Sequence, residues 1–309
     1  MQIYHTLTPA SAPQDSAVAL GYFDGVHSGH RAVLGAAVTY AAQHGLTAAA
    51  FTFELPGNNS LKGGRILSLA QKHTRVAQLG IAQYWEPSFE EFRALSPEDF
   101  VRRVLVDCFH AKAVFCGDNF TFGAYAAGNV ALLEQLCAPY GITVDVVPMA
   151  QYGGQTVSST RIRAALEEGR LDDANAMLGK PYAIDWAVTH GKGIGSGKLG
   201  TPTINQNYPA EALQPCTGVY LTRIWLDGRW WPSATGIGRR PTVDAANAPV
   251  TCEPYVPGYH GDTYGQTPVL EFHHYLCAVR KFGTLQELAD LIETAAQQSI
   301  AYFAAKEEA

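Results

Sequence analysis

Charge is scarce in this chain: only 16% of its 309 residues are Asp, Glu, Lys or Arg, the net charge is −6, and no basic cluster exceeds a pair such as Arg239-Arg240. General nucleic-acid binders carry a basic patch or stripe, so no nucleic-acid partner is expected. Long apolar runs are missing too. None approaches the ~20 residues that cross a bilayer, and residues 1–14 show neither a basic leader nor an apolar core, so no membrane partner and no secretory signal is expected. The six cysteines, at 108, 116, 137, 216, 252 and 277, include no Cys-x-x-Cys pair. That spacing fits neither a zinc site nor a dense disulfide framework and reads as reduced, mostly buried thiols of a cytoplasmic protein. No internal repeat or low-complexity segment stands out.

What is present is apolar residue, 47% of the chain, enough to fill two cores at roughly 100–200 residues per domain. The first 180 residues alternate short apolar runs with helical patterns. Strands are expected at 17–21, 46–53, 112–116 and 142–147, and helices at 30–44, which stops at Gly45, and at 129–140. Ser96-Pro97-Glu98-Asp99 is a further helix start, with a capping Ser, Pro in the first turn and acids at the positive end of the dipole. Such alternation implies a mostly parallel, doubly wound α/β sheet, whose ligands bind at the carboxyl ends of the strands. After Gly179-Lys180-Pro181 the texture changes to many Gly and Pro residues and short strand-like runs. Runs at 219–226 and 229–235 flank Asp227-Gly228, a two-residue hairpin signal. A last strand is expected at 268–276, and Thr284 with Glu287 forms a capping box opening a helix to about residue 303. The second domain is therefore expected to be a small antiparallel β-barrel with a C-terminal helix.

The first chemical cluster is Gly21-Tyr22-Phe23-Asp24-Gly25-Val26-His27-Ser28-Gly29-His30, placed where a strand hands over to a helix. Glycines let the backbone approach a phosphate, and the helix amino end offers free N–H groups to an anion. Imidazoles at 27 and 30 can donate hydrogen bonds to phosphate oxygens as charge builds in a transition state. A second cluster, His190 to Asn205, holds Gly191, Gly193, Gly195 and Gly200 ahead of Thr203 and Asn205. A glycine-rich arch can wrap phosphates while hard oxygen donors hold magnesium.

The decamer at 21–30 resembles the signature of nucleotidylyltransferases, in the Gly-x-Phe-Asp-Gly-x-His-x-Gly-His form of prokaryotic bifunctional riboflavin kinase/FAD synthetases. Gly117-Asp118-Asn119-Phe120-Thr121-Phe122-Gly123 is similar to that family's Gly-x-Asp/Asn-Phe-x-Phe-Gly loop, with Asn119 in the polar position. Ser158-Ser159-Thr160-Arg161-Ile162-Arg163 resembles its Ser-Ser-Thr-x-Ile-Arg helix start. Gly200-Thr201-Pro202-Thr203-Ile204-Asn205 resembles the riboflavin kinase motif Gly-x-Pro-Thr-x-Asn, and the likeness continues through Gly218-Val219-Tyr220, Gly238-x-Arg240-Pro241-Thr242 and Gly261-Asp262-x-Tyr264-Gly265.

The resemblance implies an FMN adenylyltransferase (FAD synthetase) domain over 1–182 and a riboflavin kinase domain over 183–309. Riboflavin, FMN and ATP are the implied substrates, FMN and FAD the product ligands, and Mg2+ the metal. Self-association is left open. His27, His30, Gly21, Phe23, Gly25 and Gly29 fall to the ATP phosphates, with Ser158, Ser159, Thr160 and Arg161 clamping the pyrophosphate end. Asp24 and Asn119 fall nearer the flavin phosphate or the metal, and Phe120, Phe122 and Arg240 to the flavin. In the kinase half, Thr203 and Asn205 fall to the metal, and Glu253 to the catalytic base. Departures from the family pattern concentrate there. Ser196-Gly197 stands in place of an arginine, Thr201 of a phenylalanine, Gly236 of an asparagine, and Cys277 and Val279 of an arginine and a glutamate ahead of Lys281-Phe282. In the adenylyl half, Leu55-Pro56 replaces a His-Pro pair. Two alternatives stay in play: an adenylyltransferase whose β domain only docks flavin, and a flavin-binding protein without either activity.

Overall fold

The structure is a computed structural model that describes residues 1–8, 14–55, 63–189, 203–209, 211–239, 250–278 and 284–307. The chain divides into two compact units, Met1–Arg65 with Leu69–Ser159, and Ile66–Ser68 with Thr160–Ala309.

The first unit is built on six parallel strands: β1 (Gln2–Tyr4), β2 (Ser16–Leu20), β3 (Thr47–Phe51), β4 (Gln83–Trp85), β5 (Ala111–Gly117) and β6 (Thr143–Val147), in the order β1-β4-β3-β2-β5-β6. The expected strands at 17–21, 46–53, 112–116 and 142–147 are β2, β3, β5 and β6. Every residue of β2 is buried, as befits a strand covered on both faces. One face carries Val18, Leu20, Ala49, Phe51, Trp85 and Val114, packed against Val104 and Leu105 of a π-helical stretch, Phe100–Cys108. Side-chain alternation turns Ala17 and Ala19 to the other face, where α1 (Ser28–His44) packs on β2, β3 and β5. Alanines in β2 and β3 keep that contact close. Helix α1 ends at Gly45 in a left-handed conformation (φ 66°), the expected stop. Helix α2 (Leu69–Gln78) follows β3 in the chain. Ser96 Oγ accepts from the Asp99 N–H at 3.1 Å and caps α3 (Pro97–Asp99), which runs on into the π-helix. Helix α4 (Val130–Cys137) precedes β6, and a small hairpin, β7 (Gln151–Tyr152) and β8 (Gln155–Thr156), follows it.

The second unit holds α5 (Ser159–Glu167, whose first residue belongs to the first unit), α6 (Leu171–Leu178) and an antiparallel sheet. Its strands are β9 (Tyr182–Ile184), β10 (Gln206–Asn207), β11 (Gly218–Leu226), β12 (Arg229–Arg239), β13 (Val250–Tyr255) and β14 (Leu270–Cys277), in the order β10-β13-β12-β11-β14-β9. A bridge between Val188 and Gln206, with the Thr189 N–H donating to the Asn205 carbonyl at 2.8 Å, joins the segment after β9 to β10. The sheet thus curls until its two edges meet. Asp227 (φ 50°) and Gly228 (φ 78°) make the tight β11–β12 turn with both residues left-handed. Helix α7 (Leu285–Glu307) packs on β11 and β12, and buried Ser299 Oγ donates to the Thr222 carbonyl at 2.9 Å. Its amino end is capped as expected, with the Glu287 N–H donating to Thr284 Oγ1 at 3.2 Å.

A division at 182/183 and the division by packing differ over residues 66–68 and 160–182. Helix α6 packs on β14, and Asn175 bonds both the Phe272 carbonyl (2.9 Å) and the Tyr182 N–H (2.7 Å), which draws this stretch to the β-sheet. All six cysteines are free thiols, and burial pushes Cys108 and Cys116 up to about 11 and Cys137 to about 12. Among the described residues, no helix is long and apolar enough to cross a membrane.

Candidate active sites

Strands β2 and β5 are neighbours in the sheet, although β3 and β4 lie between them in the chain. Their carboxyl ends mark the point where the winding reverses, and open α/β sheets bind ligands in the crevice outside such a point. The segments 21–30 and 117–123 both sit there, one following β2 and one leaving β5.

His27 is the N-cap of α1, and its Nδ1 accepts a hydrogen bond from the His30 N–H at 3.3 Å. With Nδ1 accepting, the ring proton of the neutral imidazole sits on Nε2, which is left as a donor. The His30 ring stacks on His27 with centroids 3.5 Å apart and planes 18° apart. Gly29 makes room for this pair, since a Cβ there would lie 3.3 Å from His27 Cε1. Phe23, 1% exposed, meets His30 edge-on at 5.4 Å and lies against Gly21, where a Cβ would come within 2.7 Å of its ring. Its ring therefore supports the histidines from the core side. Phe23 (φ 54°) and Val26 (φ 45°) are left-handed non-glycine residues, a strain typical of ligand-binding turns.

Burial pushes the His27 imidazole down to about 4, and His30 falls well below its ordinary value through burial first, then through the charges of His27 and Lys72. Both rings are therefore neutral near pH 7 and act as hydrogen-bonding groups rather than cations. Among the described residues, His30 Nδ1 is a buried polar atom with no hydrogen-bond partner. Asp24 is buried in the same turn, and its carbonyl accepts from Ser159 Oγ at 2.8 Å, which ties the first residue of α5 to the turn across 135 positions of sequence. Ser158 and Arg161 are half-buried and Thr160 is exposed.

In the second loop, Asn119 is exposed and Phe120 half-buried, whereas Phe122 is 6% exposed. The Phe122 ring packs on Phe100 at 5.3 Å and fills the space that Gly128 leaves empty. Of the two phenylalanines assigned to flavin from the sequence, Phe120 is half-buried and packs on the margin of the core, whereas Phe122 belongs to the core itself. Met149 and Ala150, unmarked by any motif, line the same corner. A Cβ on Gly117 would lie 3.2 Å from Met149 Sδ, and one on Gly29 3.8 Å from the Ala150 Cβ. The one signal that could have found them is their position just past the carboxyl end of a strand.

In the β unit, the pairing of Gln206 with Cys252 and of Thr203 with Tyr255 sets Asn205 opposite Glu253. Gly236 pairs with Glu253 from the other side, and among the described residues a Cβ there would meet nothing within 4 Å. Thr251 Oγ1 donates to Glu253 Oε1 at 2.7 Å and orients the carboxylate. Thr203, Asn205 and Glu253 thus share one face of the sheet. Among the described residues no cluster of three His, Cys, Asp or Glu side chains could hold a metal. The hydroxyl of Thr203 and the amide oxygen of Asn205 are the hard donors that magnesium accepts together with phosphate and water. Gly191, Gly193, Gly195, Gly200 and Arg240 lie outside the described residues.

A family model described as FAD synthetase matches residues 10–161, and one described as riboflavin kinase matches residues 178–303. The chain is 32% identical over 288 residues to a bifunctional riboflavin kinase/FMN adenylyltransferase of Pseudomonas fluorescens, covering 91% of this chain and 92% of the relative. Its counterpart in Bacillus subtilis (strain 168) is 32% identical over 296 residues, 93% of this chain and 92% of the relative. The Escherichia coli (strain K12) protein of the same description is 31% identical over 287 residues, 90% of each chain. A crystal structure described as a macrolide-efflux protein from Streptococcus pneumoniae matches with a TM-score of 0.85 over 97% of this chain and 99% of that one. At 24% identity that likeness shows the fold alone.

Proposed function

The chain belongs to the bifunctional riboflavin kinase/FMN adenylyltransferase family, and from that premise we propose that it runs two consecutive steps: riboflavin and ATP to FMN and ADP, then FMN and ATP to FAD and pyrophosphate. The observation that supports this most directly is that each unit brings together residues far apart in sequence: Ser159 bonds the Asp24 carbonyl in the first, and strand register sets Asn205 opposite Glu253 in the second.

In adenylyl transfer, an FMN phosphate oxygen attacks the α-phosphorus of ATP and pyrophosphate leaves. No covalent nucleophile is needed, so positioning and charge stabilisation supply the catalysis. His27 and His30 serve as preorganised neutral donors to the phosphate oxygens, with Gly21, Gly25 and Gly29 allowing close backbone approach. Ser158, Ser159, Thr160 and Arg161 hold the departing pyrophosphate, while Asp24, Asn119 and Phe120 face the flavin nucleotide.

In riboflavin phosphorylation, Glu253 accepts the proton of the ribityl 5′-hydroxyl as that oxygen attacks the γ-phosphorus, and ADP leaves. Thr203 and Asn205 are the residues that would hold Mg2+, which when bound neutralises phosphate charge. The functional boundary is placed at 182/183, inside β9 at the start of the chain's entry into the β-sheet that carries Glu253. Free thiols throughout suit a reducing, cytoplasmic setting.

Chromatography of products over time tests this reading. Riboflavin with Mg-ATP should yield FMN first and FAD later. FAD from FMN without FMN from riboflavin would establish the adenylyltransferase alone, and flavin binding without either product would overturn the enzyme reading.

A further inference from the structure

Lys72, on α2, is only 6% exposed although it carries an ammonium group. Its Nζ lies 5.3 Å from the centre of the Tyr22 ring and 5.8 Å from that of Tyr84, both within cation–π range. It donates to Thr52 Oγ1 at a long 3.5 Å, and Thr52 Oγ1 donates in turn to the Tyr22 carbonyl at 2.9 Å. Thr52 directly follows β3, and Tyr22 lies two residues beyond β2 in the turn that carries the histidines. The ammonium therefore sits at the carboxyl edge of the sheet, directly behind that turn. The carboxylates around it are engaged elsewhere: Glu86 with His5 at 3.4 Å and His73 at 2.9 Å, and Glu54 with Arg65 at 2.6 Å. Burial pushes the Lys72 pKa down, while Glu54, Glu86 and Asp24 push it back up.

A charge held in such a place is costly, and a well-packed apolar side chain of similar size would suit the interior better. Its location gives it a use. We propose that Lys72 is a positioning residue of the adenylyl-transfer corner: its ammonium, braced on Thr52 and Tyr22, is a built-in counter-charge behind the turn that binds the nucleotide phosphates. This rests on the reading of that turn as the ATP site. The ammonium steadies the strained segment from Tyr22 to Val26 through the Thr52 bridge. It also adds positive potential on the side of the turn away from water, where the low dielectric keeps it effective.

The test is Lys72→Met in the full chain, which keeps side-chain length and removes the charge. Thermal stability should hold or rise, riboflavin phosphorylation should stay unchanged, and kcat/KM for ATP in adenylyl transfer should fall at least about tenfold, with KM for ATP rising. Inhibition by inorganic pyrophosphate should weaken by a similar factor. Lys72→Arg, which keeps the charge, should retain most of the adenylyl transfer that Lys72→Met loses. Unchanged adenylyl transfer in Lys72→Met overturns the proposal, and so does equal loss in both variants. A variant that loses stability and both activities together would make Lys72 a plain structural pin, which also overturns it. Wild-type protein that never adenylylates FMN would instead defeat the underlying functional reading.

Discussion

Replacing His27 in two ways separates its capping role from its chemistry. The imidazole does two things at once: Nδ1 accepts from the His30 N–H, and Nε2 is left to donate outward. Asparagine is among the best N-cap residues, so His27→Asn keeps an acceptor for α1 while removing the outward donor. His27→Ala removes both. The cap bond is long, 3.3 Å, which puts its loss within the lower half of the usual range, about 1 kcal/mol. For a unit of this size that corresponds to roughly 2–4 °C in Tm. Losing one preorganised donor should slow adenylyl transfer by about 10²–10³ in kcat in both variants. The assay is FAD formed from FMN and Mg-ATP, with riboflavin phosphorylation by the same sample as internal control and calorimetry for Tm. His27→Asn should be stable and slow, His27→Ala less stable and equally slow. If His27→Asn made FAD at the wild-type rate, the imidazole would be a helix cap and nothing more.

Three further outcomes are expected. The His27 imidazole is lowered to about 4 in the folded chain, so between pH 6.5 and 4 only the unfolded chain takes up this proton. Stability should therefore fall as pH falls through that window, by about 3 kcal/mol at most from this residue; His27→Asn should flatten the slope of urea-unfolding stability against pH, and an unaltered slope would contradict the buried neutral ring. Glu253→Gln should cut riboflavin phosphorylation by about 10²–10⁴ while FMN is still converted to FAD; product chromatography reads both, and near-normal FMN formation would remove Glu253 as the base. Gly228→Ala places a Cβ at φ 78° in the β11–β12 turn and should cost about 1 kcal/mol in urea denaturation with both activities intact.

Much of the architecture was legible in residue order because its causes are local. Strands β2, β3 and β5 are apolar runs buried along nearly their whole length, so their pattern stands out without knowledge of their neighbours, while edge strand β6 shows itself by alternating exposed with half-buried residues. Gly45, Ser96, Asp227-Gly228 and Thr284 punctuate the chain through backbone conformation and capping, which depend on a few adjacent residues. Strands β1 and β4 escaped notice, because three residues are too few for a period to show and their pairing comes from partners remote in the chain. The stretch 160–182 belongs by packing with the β-sheet for the same reason: Asn175 finds its partner at Phe272, 97 positions away.

The candidate sites divide along the same line. Glycines, paired histidines and the Ser-Ser-Thr helix start announce phosphate chemistry in residue order, since each needs its neighbours at fixed spacing around a single turn or helix end. Which way a ring faces is another matter. Phe120 and Phe122 look alike in the chain, yet one stays half-buried at the margin of the core and the other fills the gap at Gly128. Lys72, Met149 and Ala150 carry no motif at all. The tautomer of His27, the neutrality of both imidazoles and the setting of Glu253 across from Asn205 arise from burial and strand register, which come into being only when distant segments pack and exclude water.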